Sequence, residues 1–280
     1  MKTISGAPLS LRMARSLSRS HVRGAGVFTR LLGRLGRLDK IAQYELGSVR
    51  FSVPLSRIAW DFRDVYDYEV KLVETFCYAL TRLRNATLLD CGADIGTFSA
   101  LVASRTDRIA RVIALEPNVD TREFLQSNLK NLGIPSRLVP KAVSNFSGRG
   151  RLQSPQENLT DHARYLVPCE GPVEVTTVDH LEVRNDDVAI KIDIEGGELE
   201  ALHGAKETIS SARECVVALE ASPAVAKRTG RDPVECLRFL QSIRPFHFVV
   251  AENGKSVSTS GPILENEQTE IWNVVASTAH

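Results

Sequence analysis

At 280 residues, 43% of them hydrophobic and 25% charged, the chain is long enough to bury a substantial core in one large domain or two small ones. A formal net charge of +1 argues against a protein built throughout to bind a polyanion. Five cysteines, odd in number and without a CxxC pair, argue against a zinc site or disulfide framework and fit a reducing, cytoplasmic compartment. Cys91, Cys215 and Cys236 lie in apolar segments and read as small core residues. No apolar run is long enough to span a bilayer, and arginines interrupt any secretory apolar core at the N-terminus.

In chain order, residues 1–43 form a basic arm in which Asp39 is the lone acid among residues 1–40. The arm reads as flexible and solvated, with an amphipathic stretch at "VFTRLLGRLGRL". Peripheral membrane contact, RNA contact and an organellar transit peptide stay open as alternatives. Residues 44–280 read as one domain. "YELGSVRFSVPL" alternates like a strand, and residues 64–83 read as a helix. Strand candidates follow at "TLLDCGA", "RVIALEP", "SRLVPKAVS", "VAIKIDIE", "CVVALEA", "FHFVVAE" and "EIWNVVAS". Helical patterns at 97–105, 120–132, 198–210 and 233–243 lie between most of them, with Asp120 and Glu123 as a capping box and Gly133 near a helix end. Strands alternating with helices predict an α/β fold, a mostly parallel sheet covered on both faces. The polar connection between the last two strands lacks helical periodicity, which makes the last strand antiparallel. Residues 148–175, with Pro155, Pro168 and Pro172, read as an irregular insertion shaping a lid or substrate wall.

The first strand ends in "LLDCGADIGTF". A dinucleotide site wants G-x-G-x-x-G, whereas this turn is Gly92-x-x-x-Gly96 with Asp94 where a phosphate would be repelled. The second strand ends in Glu116, placed to accept both hydroxyls of a ribose. Asp90, Asp94 and Glu116 would together surround a ligand that has a ribose, lacks phosphate and carries positive charge. S-adenosylmethionine meets all three conditions. In "IKIDIEGGELEALHGA", strand alternation puts Lys191, Asp193 and Glu195 on one face and Ile190, Ile192 and Ile194 on the other. Charges on an interior strand are costly unless paired or used.

The segments "LLDCGADIGTFSALVA", "VIALEPN", "NLKNLG", "PKAVSNFSG", "VTTVDHL" and "VAIKIDIEGGELEALHGA" together resemble the FkbM family of S-adenosylmethionine-dependent methyltransferases, over roughly 44–280. The resemblance implies a class I methyltransferase (Rossmann-like) fold with a seven-stranded sheet, and methyl transfer to a hydroxyl oxygen of a sugar, glycan or secondary metabolite. It matches Asp90, Gly92, Gly96 and Glu116 to cofactor-binding positions. Asp94 stands where the family usually has asparagine, and "LEASP" lacks a histidine that many relatives carry, which puts a histidine mechanism in doubt.

Methyl transfer needs a base for the acceptor proton and an acceptor oxygen held in line with the methyl group. Asp193 is the expected base, Lys191 its partner, and Glu195 a second group toward the acceptor. Mg²⁺ on Asp193, Glu195 and Glu220 is conceivable but not expected. His162, His180 and His203 are weaker candidates, and Tyr165 is placed to stack on a sugar. An NAD-dependent oxidoreductase, a nucleic-acid methyltransferase using the basic arm and a non-catalytic binding module are the competing readings. A nucleic-acid partner is not expected, because "DIEGG" occupies the place of a base-methylating motif.

Overall fold

The computed structural model describes residues 2–9, 11–12, 31–61, 64–154, 164–184, 186–221, 232, 234–259 and 273–279, with backbone alone for 59–61. His162, Trp272 and residues 13–30 of the basic arm lie outside the described residues, as does the side chain of Trp60. "YELGSVRFSVPL" is a hairpin: β2 (Lys40–Leu46) turns back through Gly47, at φ +58, into β3 (Val49–Pro54). β1 (Lys2–Ser5) pairs in parallel with β2, so the two ends of the arm are joined in one three-stranded sheet.

Next come α1 (Leu55–Asp61), a 3-10 turn at Val65–Asp67 and α2 (Val70–Ala79). The main alternation then runs through β4 (Ala86–Cys91), α3 (Thr97–Ala103), β5 (Ile109–Leu115), α4 (Arg122–Lys130) and β6 (Ser136–Val139). After a small sheet of β7 (Ala142–Val143), β8 (Gly148–Gln153), β9 (Tyr165–Pro168) and β10 (Val173–Thr176) it resumes. The rest is β11 (Val188–Ile192), α5 (Glu198–His203), α6 (Lys206–Ser211), β12 (Cys215–Glu220), α7 (Val234–Ile243), β13 (Phe246–Val250), β14 (Ser256–Val257) and β15 (Asn273–Thr278).

The central sheet has the order β14-β13-β15-β12-β11-β4-β5-β6. β12, β11, β4, β5 and β6 are parallel, and β15 inserts antiparallel between β12 and β13 as expected. The sheet has eight strands where seven were expected. The extra one arises because Gly254, at φ +70, lets the chain double back and pair Val257 with Phe248. Every residue of β4 and β11 is buried, the pattern of interior parallel strands. Successive side chains serve opposite faces: Leu88 and Ala189 pack with Phe76, Phe98 and Leu125 of α2, α3 and α4. Leu89 and Ile190 pack with Leu202, Ile209 and Leu237 of α5, α6 and α7. Each fully buried leucine or isoleucine here contributes on the order of 2 kcal/mol. Cys91, Cys215 and Cys236 are buried in this core, as their apolar segments suggested.

Three local expectations are corrected. "SRLVPKAVS" is two strands rather than one: Pro140, which has no N–H, separates β6 in the central sheet from β7 in the small sheet. The described parts of 148–175 are not irregular, because β8 pairs antiparallel with both β9 and β10. A Cβ on Gly150 would stand 2.7 Å from Leu166 Cδ1 and 2.9 Å from Val167 O, so the close pairing of β8 with β9 needs a glycine there. Asp120 and Glu123 do not form a capping box. α4 starts after Thr121, and its entry is held by Asn118, which accepts from Asp120 N and, through its carbonyl, from Thr121 Oγ1. Among the described residues no helix is long and apolar enough to cross a membrane.

The helix expected over 198–210 breaks in two at Gly204, which packs against the end of β7. A Cβ there would stand 2.1 Å from Ser144 O. Asp179 then accepts from Glu207 N and Thr208 N and so caps α6 from outside. Because the obstacle is backbone, Gly204→Ala is expected to destabilise the protein by about 2 kcal/mol or more, read as a lowered denaturant midpoint with unchanged slope.

Candidate active site

A cavity of about 620 Å³ opens at the carboxyl ends of β4, β5 and β11, within the size range of small-molecule sites. The small sheet contributes Leu152, Tyr165 and Leu166 to one wall, and the segment before α2 contributes Arg57, Asp64 and Tyr68 to the other.

The floor follows from one glycine. At Gly92 the chain leaves β4 with φ +79, and a Cβ would lie 1.9 Å from the carbonyl oxygen of Asp193. The ends of β4 and β11 therefore meet with no room for a side chain. Gly92 N and Ala93 N both donate to Leu115 O, at 3.0 and 3.1 Å, fastening the turn to the end of β5. Asp94, at φ +52, donates its N–H to Glu116 Oε2 at 2.8 Å, and Asn118 N donates to Glu116 Oε1 at 2.7 Å. Glu116 is 8% exposed, and burial pushes its carboxyl up to about 7, with Asp94 adding to the shift and the two N–H donors opposing it. A carboxylate oriented on both oxygens and open to a cavity can accept paired hydroxyls.

Among the predicted residues, Gly92, Asp94, Glu116, Asp193 and Glu195 line the cavity. Asp90, Gly96 and Lys191 do not; they form the layer beneath. Asp90 is fully buried and accepts from Ser99 Oγ of α3. The expectation that Asp90, Asp94 and Glu116 jointly surround a ligand with negative charge is thus corrected. Asp90 points under the floor, and both Asp94 oxygens accept from Arg57 Nη1, at 2.6 and 2.7 Å. Gly96, at φ +86, stands at the N-terminus of α3 with its N–H on Ala93 O.

Lys191 is buried, and its Nζ lies 3.1 Å from Asp193 Oδ2, 3.0 Å from Gly92 O and 3.9 Å from Asp90 Oδ1. Burial opposes its charge, yet Asp193, Tyr68 and Asp90 hold its pKa well above the ordinary lysine value. The ammonium thus ties together the ends of two strands and orients the Asp193 carboxylate, which remains partly open to the cavity. Glu195 does not continue the face on which Lys191 meets Asp193. β11 ends at Ile192, alternation ends with it, and Glu195 reaches the cavity from a turn at φ +63. Behind them, burial pushes the Glu220 carboxyl well above the usual carboxylate range, with Asp193 and Glu195 adding to the shift. It does not line the cavity.

Three side chains that sequence reasoning did not single out hold this arrangement. Glu198, at the start of α5, reaches back to accept from Ile194 N and Gly196 N, at 3.2 and 3.0 Å, and so shapes the turn carrying Glu195. Asn128, buried in α4, donates to Ile95 O and Ser52 O and accepts from Ser52 N, clamping β3 to the 92–96 turn. Arg57 carried no signal, since its partner lies 37 residues away. Tyr165 lines the cavity as expected. His203 is exposed with its ring 4.0 Å from that of Phe239, and His180 Nδ1 lies 2.7 Å from Ser147 Oγ; neither lines the cavity.

Residues 90–248 match the family described as the methyltransferase FkbM domain. Over 213 residues the chain is 25% identical to the hexuronic acid methyltransferase AglP of Haloferax volcanii, covering 74% of this chain and 82% of that protein. Among solved structures, methyltransferase FkbM from Methylobacillus flagellatus aligns at 15% identity and a TM-score of 0.46, covering 89% of this chain and 70% of that one. TYW2 of M. jannaschii, in complex with AdoMet, aligns at 14% identity and a TM-score of 0.41, covering 85% and 84%. The cavity residues fit the family's cofactor: Gly92 leaves the floor free of a side chain, and Glu116 presents a carboxylate suited to a ribose. The NAD-dependent oxidoreductase reading is set aside by the family match. With more than half of its length matched, the chain belongs to the FkbM family of methyltransferases, whose methyl donor is S-adenosylmethionine.

Proposed function

We propose that the protein methylates an oxygen of a sugar, within a glycan or a related metabolite, with Asp193 as the general base. The observation that carries this reading is that Asp193, fixed by Lys191 at 3.1 Å, lines the same cavity as Glu116. A sugar acceptor is supported by the relative in Haloferax volcanii, whose name gives hexuronic acid as its substrate. All five cysteines are free thiols, in keeping with a cytoplasmic location.

When bound, S-adenosylmethionine supplies an electrophilic methyl group on a sulfonium. The chain's own residues do the rest. Glu116 accepts the ribose hydroxyls, and Gly92 lets backbone approach the ligand without a side chain between them. Glu195, on its turn, accepts from an acceptor hydroxyl and helps to orient it. Asp193 takes the proton that the acceptor oxygen loses as its new bond to carbon forms. Lys191, 3.1 Å away, holds that carboxylate in one rotamer. Asp90 and Gly96 act through others, Asp90 by anchoring Lys191 and Ser99 and Gly96 by admitting the tight entry to α3.

Asp193→Asn keeps the shape but removes the base. Methyl transfer from labelled S-adenosylmethionine is expected to fall by about 100-fold or more, while S-adenosylhomocysteine binds as before. A wild-type rate in that variant would mean that the base lies elsewhere.

Glu116 gives a pH dependence. Its pKa is raised from 4.5 to about 7, so the proton is held more tightly by the folded protein than by the unfolded chain. The stability from this group is full below pH 4.5 and is lost as pH rises through about 7. Ligand binding runs the other way, because the ionised carboxylate is the better acceptor of ribose hydroxyls. Calorimetric affinity for S-adenosylhomocysteine is expected to weaken by about tenfold per pH unit below 7, and Glu116→Gln should flatten that slope.

A further inference from the structure

Residues 64–69, "DVYDYE", are placed between two cavities. Asp64, Val65, Tyr68 and Glu69 line the active-site cavity. Asp64, Tyr66 and Asp67 line a second cavity of about 850 Å³, whose opposite side comes from the β1–β3 sheet and Arg12. A single 3-10 turn therefore forms the partition, and Asp64 borders both spaces.

The second cavity has an aromatic platform. Tyr66 is 56% exposed, yet its ring is fixed by an edge contact with Tyr44, centroids 5.6 Å apart at 74°, and its hydroxyl donates to Glu45 O at 3.3 Å. An open but immobilised ring loses little conformational entropy when something stacks on it. The same cavity is lined by Arg50 and Glu45, directly opposite one another across β2 and β3, and by Arg12 and Asp67. Guanidinium and carboxylate groups are planar and make paired hydrogen bonds. A cavity that combines an apolar ring face with such groups suits a pyranose, which offers a C–H face and a rim of hydroxyls. Cations and carboxylates are mixed here, which disfavours a polyphosphate ligand.

We propose that this second cavity is an acceptor subsite that binds the sugar next to the one being methylated, with Tyr66 as its stacking platform. The acceptor is then an oligosaccharide lying across the 64–69 partition rather than a free monosaccharide. The inference rests on the sugar reading above and extends it from one residue to a chain of them.

The test compares KM for methyl glucuronide and for a tetrasaccharide of alternating glucuronic acid and N-acetylglucosamine, within a wider panel of paired mono- and tetrasaccharides. Wild-type protein is expected to favour the longer acceptor by roughly 3- to 10-fold in KM, the scale of one aromatic contact. Tyr66→Ala and Arg50→Ala should bring the KM ratio close to one, and Tyr66→Phe, which keeps the ring, should preserve it. S-adenosylhomocysteine affinity, measured in parallel, reports that each variant is folded. A wild-type ratio of one, or a ratio unaffected by Tyr66→Ala, overturns the subsite and leaves sugar methylation standing. No labelled methyl on any sugar of the panel overturns both.

Discussion

The ammonium of Lys191 is the interaction around which the site is built. It sits at the junction of two interior strands, where Gly92 and Asp193 are pressed together so closely that no Cβ fits between them. A buried lysine without partners would lose its proton or pull its strand apart. Here it has the carbonyl of Gly92 and the carboxylates of Asp193 and Asp90, and those partners come from both strand ends. Register of the sheet, path of the 92–96 turn and aim of Asp193 are consequently one constraint rather than three. The arrangement also divides labour. Asp90 absorbs the charge from below, so that Asp193 can face the cavity while still being held.

The segment before the central domain is part of the same construction. Asn128 ties β3 to the 92–96 turn through three hydrogen bonds, and Arg57 meets Asp94 from α1. The residues at 64–69 then complete the cavity wall. A hairpin that packs Phe51 and Tyr44 into the core on the same face as α2, α3 and α4 is thereby positioned by the turn that it helps to close. Changes in the hairpin would reach the cofactor site through these contacts, without touching the ligand.

Much of this was legible in the sequence because interior parallel strands are buried on both faces and announce themselves as apolar runs. "TLLDCGA" and "VAIKIDIE" also carry the few charges that such strands tolerate only at a site. The parallel core, the antiparallel final strand, the Gly92 turn, Glu116 and the Lys191–Asp193 pair all follow from that logic. What escaped follows from its limits. Strand alternation was carried one turn too far, to Glu195, because nothing in the pattern marks Ile192 as the last paired residue. The small sheet was hidden because Gly150 is demanded by neighbours that only the fold supplies. The partnership of Arg57 with Asp94 is equally non-local, and it changes the chemistry inferred for the turn.

That change bears on how the cofactor is selected. Three carboxylates around one ligand would attract a cation by charge alone, but the folded protein does not leave them that way. Asp90 is spent on Lys191 and Ser99, Asp94 is met by Arg57, and burial works against a charge on Glu220 behind the site. Glu116 itself, with a pKa near 7, carries only part of a charge at neutral pH. What these groups offer a ligand is therefore less a net negative charge than directed hydrogen bonding. A carboxyl group pinned on both oxygens by Asp94 N and Asn118 N has its remaining lone pairs aimed, and a pair of vicinal hydroxyls can satisfy them. The left-handed turn at Gly92 and Asp94 is what sets that aim, which traces it to the contact between β4 and β11.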